Sequence, residues 1–231
     1  MSQVDSLAER LADAQQKIAA AASLCGRNAD DINLIVVTKN HPTQLVFDLL
    51  DLGVRDFGEN RDQEAAPKAA EVRATSDIEH RWHFIGQLQS NKVKSVVSYA
   101  RSIHSLDRQS LLDALAKATT DREVPLDVFI QLNLTDDPGR GGIQPISLLP
   151  FAENVLSQSG LNLVGVMGVA ALDNNLERDF GAIRAASETL KTLKPEAGLI
   201  SAGMSEDFET AIAYGATHLR IGSAITGKRQ Y

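Results

Sequence analysis

The sequence holds a single cysteine, Cys25, so no internal disulfide can brace the chain and its stability must come from a packed core. No apolar run approaches the ~18 residues of a bilayer-spanning helix, which excludes a transmembrane reading. The opening MSQVDSLAERLADAQ lacks the basic and apolar regions of a signal peptide, and the expected location is cytoplasmic. Basic charge is in deficit. With 23 Lys and Arg against 30 Asp and Glu the net charge is −7, which argues against nucleic acid or an anionic membrane as a partner. No His and Cys spacing suggests a metal site. Linkers, repeats and low-complexity tracts are also missing. The 231 residues, 43% hydrophobic, are therefore expected to form one domain over 1–231, near the ~250-residue size of a (β/α)8 barrel. Cys25, beside Ala22 and Leu24 at the end of a striped helix, is expected as a small core residue.

What is present is a regular alternation. Val4, Leu7, Leu11, Ala14, Ile18 and Ala21 recur at intervals of three and four, the stripe of an amphipathic helix over Ser2 to Leu24. INLIVV (32–37) follows as a β-branched run suited to a parallel strand buried on both faces. Seven more strands are expected near 55–58, 82–86, 102–105, 125–134, 161–169, 199–202 and 217–222. Helices are expected at 43–52, 61–72, 90–99, 108–119, 146–157, 176–193 and 206–214. Eight strand–helix alternations without hairpin signals favour a closed parallel α/β barrel over an open doubly wound sheet. The Pro- and Gly-bearing segment 135–142, including GRGG, lacks the ending of a P-loop and reads as a mobile loop.

Chemistry in such a barrel gathers at the C-terminal ends of the strands. Lys39 lies just past the first strand and Asn60 past the second. SAGMSED (201–207) and IGSAITG (221–227) place Met204, Ser205, Gly222 and Ser223 after the seventh and eighth. Glycine and serine there offer free N–H groups and hydroxyls to an anion, in the recurrent phosphate position of this fold, although either segment alone is also explained by turn glycines and a helix cap. Partial desolvation at the barrel rim would favour the neutral amine of Lys39, which attacks carbonyls; a solvated lysine at a strand end is the blander alternative. A lysine beside a phosphate site suits a ligand carrying an aldehyde and a phosphate, such as pyridoxal 5′-phosphate (PLP) or a phosphosugar. Arg220 in the last strand needs a partner, either a ligand ring nitrogen or a carboxylate such as Glu59 or Asp207. His83 reads equally as a ligand contact or a core histidine. Lys92 and Lys94 read as a solvated face.

VVTKNHP, FGEN, WHFIGQLQSNKVK, GMSEDFETAI and LRIGSAITG, in this order, resemble the motifs of the pyridoxal phosphate homeostasis family, itself similar to the N-terminal barrel of alanine racemase. The resemblance spans nearly the whole chain. It implies a PLP Schiff base on Lys39, phosphate contacts from Ser205, Gly222 and Ser223, a pyridine-nitrogen contact from Arg220, and support from Asn60 and Met204. Thr38, Arg61, Ala202 and Arg140 depart from the family's usual serine, tyrosine, methionine and lysine. Arg61 removes the aromatic contact expected there.

The resemblance implies a PLP-binding protein of cofactor homeostasis with little or no catalysis, acting as a monomer and passing PLP to PLP-dependent apoenzymes. An amino-acid racemase is the alternative. It needs an acid/base opposite the lysine, and only Tyr99, Tyr214 and Tyr231 are available as tyrosines, with His83 as a substitute. A Schiff-base aldolase acting on a phosphosugar ranks third.

Overall fold

A computed structural model describes residues 6–135, 137–171 and 175–227. Ser6 opens the first helix with a capping box: its hydroxyl accepts the Glu9 N–H while the Glu9 carboxylate accepts the Ser6 N–H. The helix, α1 (Leu7–Leu24), buries Leu11, Ala14, Ile18, Ala21 and Ala22, the striped positions, while the expected start at Ser2 lies outside the described residues. The stripe ends at Ala22. The last turn runs past the body of the protein, so Leu24 and Cys25 are exposed, and the expectation of a core cysteine is corrected.

Eight parallel strands then alternate with helices: β1 (Asn33–Val37), α2 (Thr43–Asp51), β2 (Asp56–Glu59), α3 (Asp62–Thr75), β3 (Arg81–Phe84), α4 (Val93–Val97), β4 (Ala100–Leu106), α5 (Gln109–Thr119) and β5 (Leu126–Gln131) in the first part. The second part holds α6 (Leu148–Leu156), β6 (Leu161–Met167), α7 (Leu176–Leu193), β7 (Leu199–Ser201), α8 (Phe208–Ala213), β8 (His218–Ile221) and α9 (Ser223–Thr226). The strands close in sequence order, β8 pairing back onto β1 with Asn33 opposite His218 and Val36 opposite Ile221. This is a (β/α)8 barrel. Helix α1 packs on α8 and α9, tied by Arg10 Nε to the Ile225 carbonyl (2.7 Å) and by Arg27 Nη1 to that of Ile212 (2.8 Å).

The main apolar core lies between strands and helices, where Val36, Phe57, Ile103, Val128, Val166 and Leu219 meet Val46, Leu49, Leu111, Phe180 and Ile212. Inside the barrel the filling is unusually polar. His104 of β4 reaches Ser201 of β7 on the far side of the ring, and Asp56, His83, Ser102 and Arg220 are buried with them. The segment expected as a mobile loop is tied down at several points. Gly142 N–H meets Asp107 Oδ2 (3.3 Å), Asn133 Nδ2 donates to the Asp137 carbonyl (2.8 Å), and Arg140 Nη2 donates to the Ala170 carbonyl (3.1 Å).

Candidate functional site

At the C-terminal ends of the strands lies a cavity of about 980 Å³. Lys39, Asn60, Met204, Ser205, Arg220, Gly222 and Ser223 all line it, together with His41, Gly86 and Asp207. The seven candidates come from the ends of β1, β2, β7 and β8, and only the closed barrel brings them together.

Lys39 follows β1 in a tight turn. Asn40 sits at φ +62°, a left-handed conformation that asparagine tolerates better than most side chains, and the His41 N–H closes the turn on the Thr38 carbonyl (3.2 Å). Both neighbours of Lys39 are clamped. Thr38 Oγ1 donates to Glu59 Oε1 (2.8 Å), and the Asn40 N–H donates to the Glu64 carboxylate. The buried Lys68 joins the two halves, its Nζ donating to Glu59 Oε1 (2.8 Å), to Glu64 Oε1 (2.6 Å) and to the Thr38 carbonyl (2.9 Å). Burial raises the pKa of Glu59 above the usual carboxylate value, although Lys68 and Thr38 pull the other way.

Asn60, one residue beyond β2, turns to the cavity wall a buried side-chain oxygen that has no hydrogen-bond partner among the described residues. A buried acceptor left open costs about 1–3 kcal/mol, so its presence at a cavity wall points to a ligand donor. Gly86 makes this wall possible, because a Cβ there would come within 2.2 Å of the Asn60 carbonyl oxygen.

On the opposite wall Gly203 adopts φ +93°, open to glycine, and turns the chain after β7 so that Met204 and Ser205 face the cavity. Asp207 Oδ1 accepts the Met204 N–H (2.6 Å) and holds this turn; burial raises the Asp207 pKa. The helix after it begins at Phe208 with Asp207 in the cap position, so Ser205 does not cap that helix and its hydroxyl remains at the cavity. Ser205 Oγ lies 3.4 Å from both Ser223 Oγ and the Ala224 N–H, which brings the two glycine–serine segments into one cluster of hydroxyls and N–H groups.

Arg220 is 5% exposed. Its Nη1 donates to Ser201 Oγ (2.6 Å) and its Nη2 to the Gly168 carbonyl (2.9 Å), and among the described residues no carboxylate pairs with it. Neither ion pair considered from sequence forms: Glu59 is taken by Lys68 and Thr38, and Asp207 acts on Arg220 only at longer range. Burial pushes the guanidinium down to about 10, with the Asp207 charge opposing. A buried cation without a carboxylate is costly, and it fits a site completed by a ligand acceptor.

His83 does not reach the cavity; its Nε2 meets Asp56 Oδ1 (2.7 Å) inside the barrel, which makes it a core histidine. Lys94 is exposed as expected, while Lys92, with Arg61, lines a second pocket of about 590 Å³ beside the first. Sequence reasoning missed Lys68 and the Asp56–Ser102–His104–Ser201 group. The alternation in SIHSL, which places Ser102 and His104 on one face of a buried strand, was the available signal.

Residues 10–230 match the family model described as alanine racemase, N-terminal domain. The chain is 37% identical to the pyridoxal phosphate homeostasis protein of Escherichia coli (strain K12), with 99% of each chain covered. It belongs to the pyridoxal phosphate homeostasis proteins, within the alanine racemase N-terminal domain family. The family's protein in Mycobacterium leprae is 36% identical, covering 96% of this chain and 92% of that one. Among solved structures, PipY of Synechococcus elongatus, with PLP bound, superposes with a TM-score of 0.81 at 31% identity, over 96% of this chain and all of that one.

Proposed function

We propose that this chain binds PLP as a Schiff base on Lys39 and serves intracellular PLP homeostasis as a carrier with little or no catalysis of its own. One observation carries the reading: a single cavity gathers a lysine amine, a buried arginine that no carboxylate pairs with among the described residues, and a serine pair on adjacent strand ends. These are the complements of an aldehyde, a ring nitrogen and a phosphate. Bound there, PLP would supply an electrophilic aldehyde and an electron-accepting ring.

The residues divide the work. Lys39 forms the covalent link. Ser205, Ser223 and the N–H groups after Gly222 receive the phosphate. Asn60 and Met204 line the walls beside the ring. Arg220 donates to the pyridine nitrogen and, having no proton acceptor of its own, leaves that nitrogen unprotonated. An unprotonated ring is a weak electron sink, which suits holding and delivering the cofactor to PLP-dependent apoenzymes better than carbanion chemistry. The carrier acts as a monomer in this reading. Of the tyrosines, Tyr99 is bonded to Asp62 Oδ1 (3.3 Å) and Tyr214 packs beside Gly181, so both are engaged elsewhere.

The test adds PLP to the wild type and to Lys39→Ala, records the visible band, reduces with borohydride and locates the adduct by mass spectrometry. A phosphopyridoxyl adduct on Lys39, absent from the variant, is expected. Absence of band and adduct in the wild type overturns the reading. Racemisation of alanine or serine that disappears in Lys39→Ala would replace the carrier with an enzyme.

A further inference from the structure

The polar filling of the barrel is one continuous hydrogen-bonded chain. From the N-terminal mouth it runs from Arg81 Nη2 to Asp56 Oδ2 (2.6 Å), and from Asp56 Oδ1 to His83 Nε2 (2.7 Å). His83 Nδ1 meets Ser102 Oγ (2.7 Å), Ser102 Oγ meets His104 Nε2 (2.9 Å), His104 Nδ1 meets Ser201 Oγ (2.7 Å), and Ser201 Oγ accepts from Arg220 Nη1 (2.6 Å). Five strands contribute, and the chain ends at the cavity.

Its direction follows from donor counting. Ser201 Oγ accepts from Arg220, and among the described residues its other hydrogen-bond neighbour is His104 Nδ1, so its own hydrogen finds an acceptor only there. His104 is fully buried and held well below the usual imidazole value by that burial, so it is neutral and carries its hydrogen on Nε2. That hydrogen is shared between Ser102 Oγ and His83 Nδ1, which lies 3.1 Å from His104 Nε2, and the Ser102 hydroxyl in turn donates to His83 Nδ1. His83 then donates from Nε2 to Asp56. Every hydrogen therefore points away from the cavity and toward one carboxylate. Such a chain is polarised along its whole length. The other groups facing it are Arg81 on Asp56, His218 beside both imidazoles, and Asp207 near Arg220.

We propose that Asp56, His83, Ser102, His104 and Ser201 form a positioning relay for Arg220, carrying the charge at the barrel's N-terminal mouth to the guanidinium that faces the cofactor ring. This rests on the reading of the cavity as a PLP site. The relay fixes one Nη1 hydrogen of Arg220 on Ser201 and so sets which of its remaining hydrogens the ligand meets.

Three variants each remove one buried hydroxyl: Ser102→Ala and Ser201→Ala on the chain, and Ser105→Ala, at a buried serine of the same strand β4 with no hydrogen-bond partner among the described residues. Each is titrated with PLP while the visible band is followed across pH. Ser102→Ala and Ser201→Ala are expected to move the pH midpoint of the band and to weaken PLP about tenfold, the effect of one charge-assisted hydrogen bond, with Ser105→Ala matching the wild type. If the wild type takes up PLP and all three variants keep its midpoint, the relay is wrong. If the wild type takes up no PLP, the cofactor reading fails, and the relay is judged on the ligand-free protein by ¹⁵N NMR of the imidazoles. There, hydrogen on Nε2 of His104 and loss of the Nδ1 hydrogen bond in Ser201→Ala uphold it; hydrogen on Nδ1 overturns it.

Discussion

Lys68 Nζ donates to the carbonyl of Thr38 at 2.9 Å, so a buried lysine of helix α3 holds the backbone immediately before Lys39. The same ammonium pairs with Glu59, whose side chain is 1% exposed, and with Glu64. Because Glu59 also binds Thr38 and Glu64 also binds Asn40, the turn that presents Lys39 is braced from both sides through one cation.

Removing that cation leaves a buried carboxylate without its partner, a change that typically costs 3–5 kcal/mol. Lys68→Met is therefore expected to lower stability by roughly that amount in chemical denaturation, and adding Glu59→Gln should recover part of it. A single variant as stable as the wild type would show that the ion pair does not brace the turn.

How far the sequence revealed this arrangement depends on how local each feature is. Helix α7 was legible at both ends because its stripe is long, and the three-residue strand β7 was legible only from its place in the alternation. The expected helix over 90–99 divides into a 3-10 turn at Ser90–Lys92 and the short α4, and the four-residue α9 is too brief to show a period. Candidate site residues were found by position, since strand ends in a barrel converge whatever their separation in sequence. The relay and the Lys68 clamp were hidden for the converse reason. His104 and Ser201 lie 97 residues apart and meet across the barrel, and nothing in either neighbourhood specifies the other.

The serine pair separates phosphate recognition from aldehyde chemistry. Ser205→Ala combined with Ser223→Ala removes two hydroxyl donors and leaves Lys39 and Arg220 in place. The double variant should bind PLP about ten- to a hundredfold more weakly, as expected for hydrogen bonds to a charged group, while pyridoxal, which has no phosphate, binds as it does to the wild type. Parallel titrations of the two aldehydes read the difference. Equal losses for both would place the phosphate elsewhere in the cavity.

The barrel interior should also make the protein acid-labile. Burial lowers the pKa of His104 well below 6.5 and that of His218 to about 4. Between pH 6.5 and about 4 the unfolded chain takes up protons that these imidazoles refuse in the fold, so stability present above pH 6.5 is lost as pH falls, by roughly 1.4 kcal/mol per histidine per pH unit. Asp56 continues the trend at lower pH. Although burial works against its carboxylate, the hydrogen bonds from His83 and Arg81 hold its pKa below the usual value, and their contribution is lost only as pH falls through the lowered value. Glu59 and Asp207, raised by burial, act in the opposite sense just above the ordinary carboxylate range, so the histidine effect is best read as a difference. His218 lies off the relay, its Nδ1 meeting Thr217 Oγ1 at 2.9 Å. Urea denaturation of the wild type and His218→Gln at several pH values from 7.5 to 4.5 should therefore give stability curves that converge as pH falls, the variant's being flatter by about one histidine's slope. Parallel curves would mean that His218 takes up its proton as readily in the fold as in the unfolded chain.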